Sequence, residues 1–206
     1  MVTRSEPDYV WDFCGGDLAL DFTNTVGNRG AAAEEHFNAY ADVVSWAETR
    51  GVIGRREATQ LRQEAARRAT AAAEALASVR ALRESLYRAL AAAASGRRCR
   101  AADLARINAA VGAAFSGAHL QSRGDGLELR FTPDQGTIRL DEPITTPVVR
   151  AAIDLLTTEA IRRVRLCADR SCAWLFTDTT RSGTRRWCDM KVCGNRNKVR
   201  RFRGQP

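Results

Sequence analysis

RRWCDMKVCGNRNKVRRFR, Arg185 to Arg203, holds two cysteines with four residues between them and follows them with a crowd of arginines and lysines. A matching pair lies upstream, Cys167 and Cys172, again with four residues between, and fifteen residues separate the two pairs. Tetrahedral Zn²⁺ takes four soft donors at about 2.3 Å, and two turn-borne pairs deliver them at little cost in chain entropy. Four-residue gaps stand at the wide end of the usual range. Cys167, Cys172, Cys188 and Cys193 are therefore the expected ligands of one structural zinc, since four thiolates close the shell and leave no position for water. Four unligated thiols or an iron–sulfur cluster would use the same residues. Regular pairing in so polar a segment favours zinc in a reducing compartment. Cys14 and Cys99 lack a nearby His or cysteine partner and read as small buried apolar residues.

Around these ligands the local pattern is that of a very small fold. VRLCADRSCAWLFTD, Val164 to Asp178, reads as a strand, a knuckle carrying the first pair, and a return strand through Trp174 and Phe176. Cys188 precedes a short turn, and Cys193-Gly194 opens a predicted helix from Asn195 to Phe202. A hairpin and a helix around one metal make a treble-clef-like finger. It is too small to fold on apolar burial alone, so the metal is expected to supply much of its folding free energy. Gly194 permits a tight or left-handed turn directly after a ligand. Trp174 and Trp187 are expected to pack over the metal site, with stacking on an unpaired base as the alternative.

Charge sharpens the reading. The 206 residues carry a net +8, yet from Ile161 onward there are 13 Lys+Arg against 3 Asp+Glu, and the preceding residues hold 19 against 21. A near-neutral body with a tip of about +10 points to a polyanion at that tip. Arg185, Arg186, Arg196, Lys198, Arg200, Arg201 and Arg203 read as phosphate contacts, the commonest kind in protein–DNA interfaces. Asn195 either caps the helix or bonds a base edge. No apolar run approaches the ~20 residues that span a bilayer, and the N-terminus lacks a secretory signal pattern. The expected location is cytoplasmic, at the nucleoid, with no membrane contact.

The body reads as mainly α with a small antiparallel β-sheet (α+β). Asp17 caps a short helix from Leu18; Asn38 caps a second, which Gly51 stops. Glu57 to Ser95 is Ala-rich without Pro or Gly, which predicts one long helix or two in series with a stripe of Val79, Leu82, Leu86 and Leu90. Leu104, Ile107, Val111 and Phe115 mark another helix. GLELRFT (126–132) and GTIRL (136–140) read as strands joined by a Pro-Asp-Gln-Gly turn, and Thr146-Pro147 as the start of a further helix. Asp17, Asp21, Asn24 and Thr25 fall on one face of the first helix. They are candidates to bind a small-molecule effector, or else bond to neighbouring loops. No nucleophile or metal-pattern His accompanies the two aspartates, so no catalytic apparatus is expected. The division is residues 1–162 for the helical domain and 163–206 for the finger.

The finger residues Cys167, Cys172, Trp174, Phe176 and Asp178, with RRWCDMKVCGNRNK, resemble the CGNR zinc finger family, named for the string at Cys193–Arg196. GGDLALDFTNT, Gly15 to Thr25, is similar to the opening motif of the ABATE domain that precedes such fingers in bacterial proteins. The resemblance covers both ends and departs mildly at Thr179-Thr180, where serine is expected. It implies four zinc ligands at the four cysteines named, and a stress-induced transcriptional regulator whose finger binds duplex DNA. The helical domain would then sense an effector or pair two protomers, and a homodimer would place two fingers on two half-sites. An RNA-binding zinc module, and an enzyme using the finger as an interaction element, are the competing readings.

Overall fold

A computed structural model describes residues 9–131 and 139–204. The chain is mainly helical, with small antiparallel two-stranded sheets. The helices are α1 (Leu18–Thr23), α2 (Tyr40–Arg50), α3 (Arg55–Arg67), α4 (Ala69–Ala94), α5 (Ala101–Phe115), α6 (Glu142–Thr157) and α7 (Asn195–Phe202). The strands are β1 (Val26–Gly27) with β2 (Glu34–Glu35), β3 (Ala118–Arg123) with β4 (Gly126–Phe131), and β5 (Val164–Leu166) with β6 (Leu175–Thr177). A 3₁₀ turn, Glu159–Arg163, links α6 to β5. No described helix is long and apolar enough to cross a membrane.

One apolar core organises the helices. Short α1 runs through it, with Leu20 and Phe22 fully buried. Phe22, Phe37 and Trp46 form an aromatic triad with ring centres 5.4–6.1 Å apart, tilted or edge-on as ring quadrupoles favour. Val79, Leu82, Leu86 and Leu90 of α4 are buried as their spacing predicts, as are Ile144, Val148 and Leu155 of α6. Val164 and Leu175, which belong to the β5–β6 hairpin, are part of this same core.

The Ala-rich stretch takes the second of its two expected forms, two helices in series, broken at Arg68 where the backbone leaves helical geometry. Several expectations needed correction. Ala39, not Asn38, precedes α2; the Asp42 carboxylate reaches back to the Ala39 N–H and does the capping. Gly51 does stop α2, at φ 77°. The α6 helix starts a turn before Thr146-Pro147. Asp141 stands at its head and Pro143 fills the first turn, where a missing N–H costs nothing. Pro147 lies inside the helix instead. GLELRF is a strand, but its partner is upstream: His119 faces Arg130 and Leu120 faces Leu129 across a tight turn at Gly124-Asp125. The predicted Pro133–Gly136 turn and positions 136–138 lie outside the described residues, and Arg139 and Leu140 are not strand.

Candidate metal centre and nucleic-acid interface

The β5–β6 hairpin presents the first cysteine pair. Cys167 N–H donates to the Trp174 carbonyl, extending the ladder, and the chain between them folds over Asp169. That aspartate is fully buried and accepts from both the N–H and the hydroxyl of Ser171 (3.1 and 2.7 Å). Asp178 plays the same role beyond β6. It accepts from the Thr180 N–H and hydroxyl and from the Arg185 N–H, fixing the loop that leads to the second pair. The Thr180 hydroxyl thus satisfies what a serine there would. Of the second pair, Cys188 precedes and Cys193 lies within a wide turn, Met190–Gly194, capped by the Asp189 carboxylate, which accepts from Val192 N–H at 3.0 Å. Gly194 is right-handed, not left-handed. Its lack of a side chain matters because a Cβ there would press on the Met190 thioether.

The four sulfurs of Cys167, Cys172, Cys188 and Cys193 lie within 4.8 Å of one another, all four residues buried. Cys172 Sγ stands 3.6 Å from Cys188 Sγ, which is 3.7 Å from Cys193 Sγ. A tetrahedron with metal–sulfur bonds of about 2.3 Å has edges of about 3.8 Å, so the donor set fits one structural zinc ion. As bare thiols the group is unfavourable. Cys167 is held far below the ordinary thiol range by hydrogen bonds from Cys172, Cys188 and Cys193. Cys172 and Cys193 are in turn pushed far up, first by their bonds to Cys167. Only a bound cation lets all four ionise together. Trp174 and Trp187 pack against this sulfur cluster, as expected. So does Cys14, whose thiol lies against the cluster and is the first cause of the upward shift at Cys188. Its sequence position, 174 residues from Cys188, hid this contact.

The finger is welded to the helices. Asn24, at the end of α1, pairs with both backbone groups of Leu175: its amide donates to the carbonyl at 2.8 Å and its oxygen accepts from the N–H at 3.0 Å. Trp174 Nε1 donates to the Val26 carbonyl (2.7 Å), and the Tyr87 hydroxyl to the Ala173 carbonyl (2.8 Å). Thr177 N–H donates to the Gly15 carbonyl, and Gly30 N–H to that of Ser171. A Cβ at Gly30 would run into the Arg170 carbonyl, so this approach requires glycine.

The residues proposed for an effector serve this scaffold. Asp17 caps α1 by accepting from Ala19 N–H. Asp21, buried, accepts from Gly15 N–H (2.9 Å) and Arg50 Nε (2.8 Å); burial nevertheless holds its carboxyl above the usual range. Thr25 donates to the Phe22 carbonyl and accepts from Arg83. Clefts of about 220 and 280 Å³ lie elsewhere, around Ser78, Arg139 and Asp141, at the head of α6, beside the C-terminal half of α5 and along α4. A partly buried ion network, invisible in the sequence, flanks the weld: Arg83 is bidentate on Glu35 and bonds Glu84, which also holds Arg29.

The tip cations divide into two groups. Arg185 lies over the Phe176 ring and donates to the Trp187 and Cys188 carbonyls. Arg196 donates to the Ser171 hydroxyl (3.1 Å) and pairs with Asp169; Arg200 donates to Asp169 Oδ1 at 3.2 Å. These three brace the metal site. Asn195 donates to the Lys191 carbonyl four residues back, so it neither caps α7 nor sits free. Arg186 covers the Trp187 ring. Lys198, Arg201 and Arg203 are exposed, and their side chains make no hydrogen bond or ion pair among the described residues.

A helical scaffold carrying a four-cysteine zinc finger is the class that this fold and site define. The chain belongs to the ABATE family, described as "Putative stress-induced transcription regulator", whose model matches residues 16–159. Residues 163–205 match the CGNR zinc finger. No curated protein matches the chain significantly.

Proposed function

We propose that this regulatory zinc protein is a cytoplasmic transcription regulator that binds duplex DNA through the outward side of its finger. The observation that carries the reading is the separation of cations on and beside α7. Arg185, Arg196 and Arg200 are spent on internal acceptors, whereas Lys198, Arg201 and Arg203 point to solvent with no partner among the described residues. Unpaired cations on a metal-pinned helix match what a phosphate backbone requires: fixed positive charge on a rigid support. Binding should therefore weaken steeply with salt. The test is a selection from random duplex DNA with zinc-loaded and chelated protein. A motif enriched only with zinc supports a sequence-reading regulator; preference for RNA over every duplex would overturn it.

A single finger touches few base pairs, so pairing of protomers forms part of the proposal. The β3–β4 hairpin supplies the surface. Leu120, Leu127 and Leu129 share one face with exposures of 65, 72 and 43%, an apolar ribbon no described element covers. A second copy is the proposed occupant, since the same ribbon on a two-fold partner matches it residue for residue. Leu127→Lys should convert a dimer to a monomer in light scattering; a wild-type chain monomeric at high concentration would end this part of the reading.

A further inference from the structure

Resting on the DNA reading, we infer that Phe202 is the side chain through which the finger touches bases, with Lys198, Arg201 and Arg203 clamping phosphates around it. Phe202 is 94% exposed, the most exposed large apolar side chain described in the molecule. At 3.6 residues per turn, Asn195, Lys198, Val199 and Phe202 fall on one face of α7, opposite Arg196 and Arg200. The inner face is fixed: Arg196 and Arg200 hold Asp169, and Asn197 donates to the Cys193 carbonyl at 2.8 Å. The helix therefore cannot roll to bury its aromatic, and Phe202 stands held in water by the same contacts that order the zinc ligands.

Charge selects the occupant. Lys198 and Arg201 lie to one side of Phe202 and Arg203 follows it at the end of the helix, while Val199, 47% exposed, adjoins it. An apolar centre ringed by unpaired cations matches a polyanion that carries apolar surface between its charges. On duplex DNA that surface is thymine methyls and the faces of base steps, which a phenylalanine reaches by contact or partial insertion. An apolar protein groove would gain nothing from three desolvated cations at its rim. The braced arginines thus set the position of a reader that is not itself an arginine.

The test uses the full zinc-loaded chain and fluorescence anisotropy with duplexes carrying 2-aminopurine, across a salt series. Wild type is compared with Phe202→Ala and with Lys198→Ala/Arg201→Ala/Arg203→Ala. Phe202→Ala should lose about tenfold or more in affinity, keep the salt slope, and abolish the 2-aminopurine response. The triple variant should flatten the log–log salt slope by roughly 2 to 3. A Phe202→Ala protein that binds with wild-type affinity and the wild-type 2-aminopurine signal overturns the inference and leaves DNA binding standing. A wild-type chain that binds no duplex removes both. A Phe202-dependent signal confined to single strands or RNA overturns the assignment to duplex DNA. Because Phe202 contacts solvent, its truncation leaves the fold intact, which unchanged zinc content verifies.

Discussion

The helical body and the finger sit side by side but hold their shape by different means. The body buries Phe22, Phe37, Trp46 and the α4 stripe in a continuous apolar core, where stability grows with area removed from water. The finger's own centre is four sulfurs, Phe176 and Trp174, too few atoms to order a chain without a cation. The comparison would suggest two independent units. The interface argues otherwise: Val164 and Leu175 sit in the body's core, Asn24, Tyr87, Gly15 and Gly30 bond the finger's backbone, and Val26 accepts from the Trp174 indole N–H. The metal therefore orders a surface on which the body depends, and the body orients a finger that would otherwise swing.

The harshest way to break this picture is to remove the metal. Structural zinc contributes on the order of 10 kcal/mol to folding a finger. Strong chelation, or Cys193→Ser, should abolish amide protection through 164–177 and in α7. It should also loosen the Asn24–Gly30 segment while α4 and α6 stay protected. Hydrogen exchange read by mass spectrometry reports each region separately. Loss confined to the finger would mean that the two units are independent after all; retained protection at Cys167 and Trp174 would mean that no metal orders the site.

Next in size is the ion network beside the weld. Arg83 is 2% exposed and serves Glu35 and Glu84 together. Arg83→Met takes the bidentate partner from Glu35, leaving it only Arg80 at 3.6 Å, and leaves Glu84 to Arg29. With both carboxylates partly solvated, the loss should be about 3 kcal/mol in urea unfolding. Burial pushes the Glu35 carboxyl up, but the bonds and charge of Arg83 outweigh it and hold the group below its ordinary value of 4.5. A carboxyl lowered in the folded state stabilises above that value, and the gain disappears as pH falls through the lower, folded one. Wild type should lose stability in that acid window, and the variant should show a shallower loss there. Parallel pH profiles for the two proteins would remove the network from the account.

A smaller and more local cut is Asn24→Ala, which leaves the Leu175 N–H and carbonyl without partners in a dry interface. About 2–3 kcal/mol is expected from two unsatisfied groups. Coupling between the units predicts a second effect: zinc is released sooner to a competing chelator, although Asn24 touches no ligand. An unchanged release rate would reduce the weld to mere contact.

Much of this was legible in the residues themselves. The ligand spacing announced the metal site, the α7 limits followed from Gly194 and the polar run after it, and the α4 stripe gave the core face. What escaped has two causes: some contacts join positions far apart in the chain, and some local choices are not separated by residue type alone. Cys14 reads as an isolated thiol until α1 brings it to Cys188. Asp17, Asp21, Asn24 and Thr25 look like a ligand-facing stripe because capping, pairing and binding draw on the same residue types. Of the two prolines near α6, either satisfies first-turn chemistry, and only packing chooses Pro143. The β3 strand carries alternating polar residues with no buried face, so it lacked the period that burial imposes on a sequence.

The finest distinction lies within α7, where similar chemistry does different work about half a turn apart. Arg200 and Lys198 are both cations on a short helix, yet only Arg200 faces Asp169, whose side chain is fully buried. Removing it as Arg200→Ala should lower finger stability by about 1 kcal/mol. Arg196 stays within ion-pairing reach of the same carboxylate and limits the loss. Lys198→Ala should leave stability within about 0.5 kcal/mol, because a solvated side chain has no native bond to lose. On DNA the order reverses: Lys198→Ala should flatten the salt slope by about one unit, and Arg200→Ala should leave it unchanged. Thermal melts and salt titrations on the same two proteins give four numbers. A slope change for Arg200 with no change in melting would place that arginine on the phosphates and reverse which face of α7 meets the duplex.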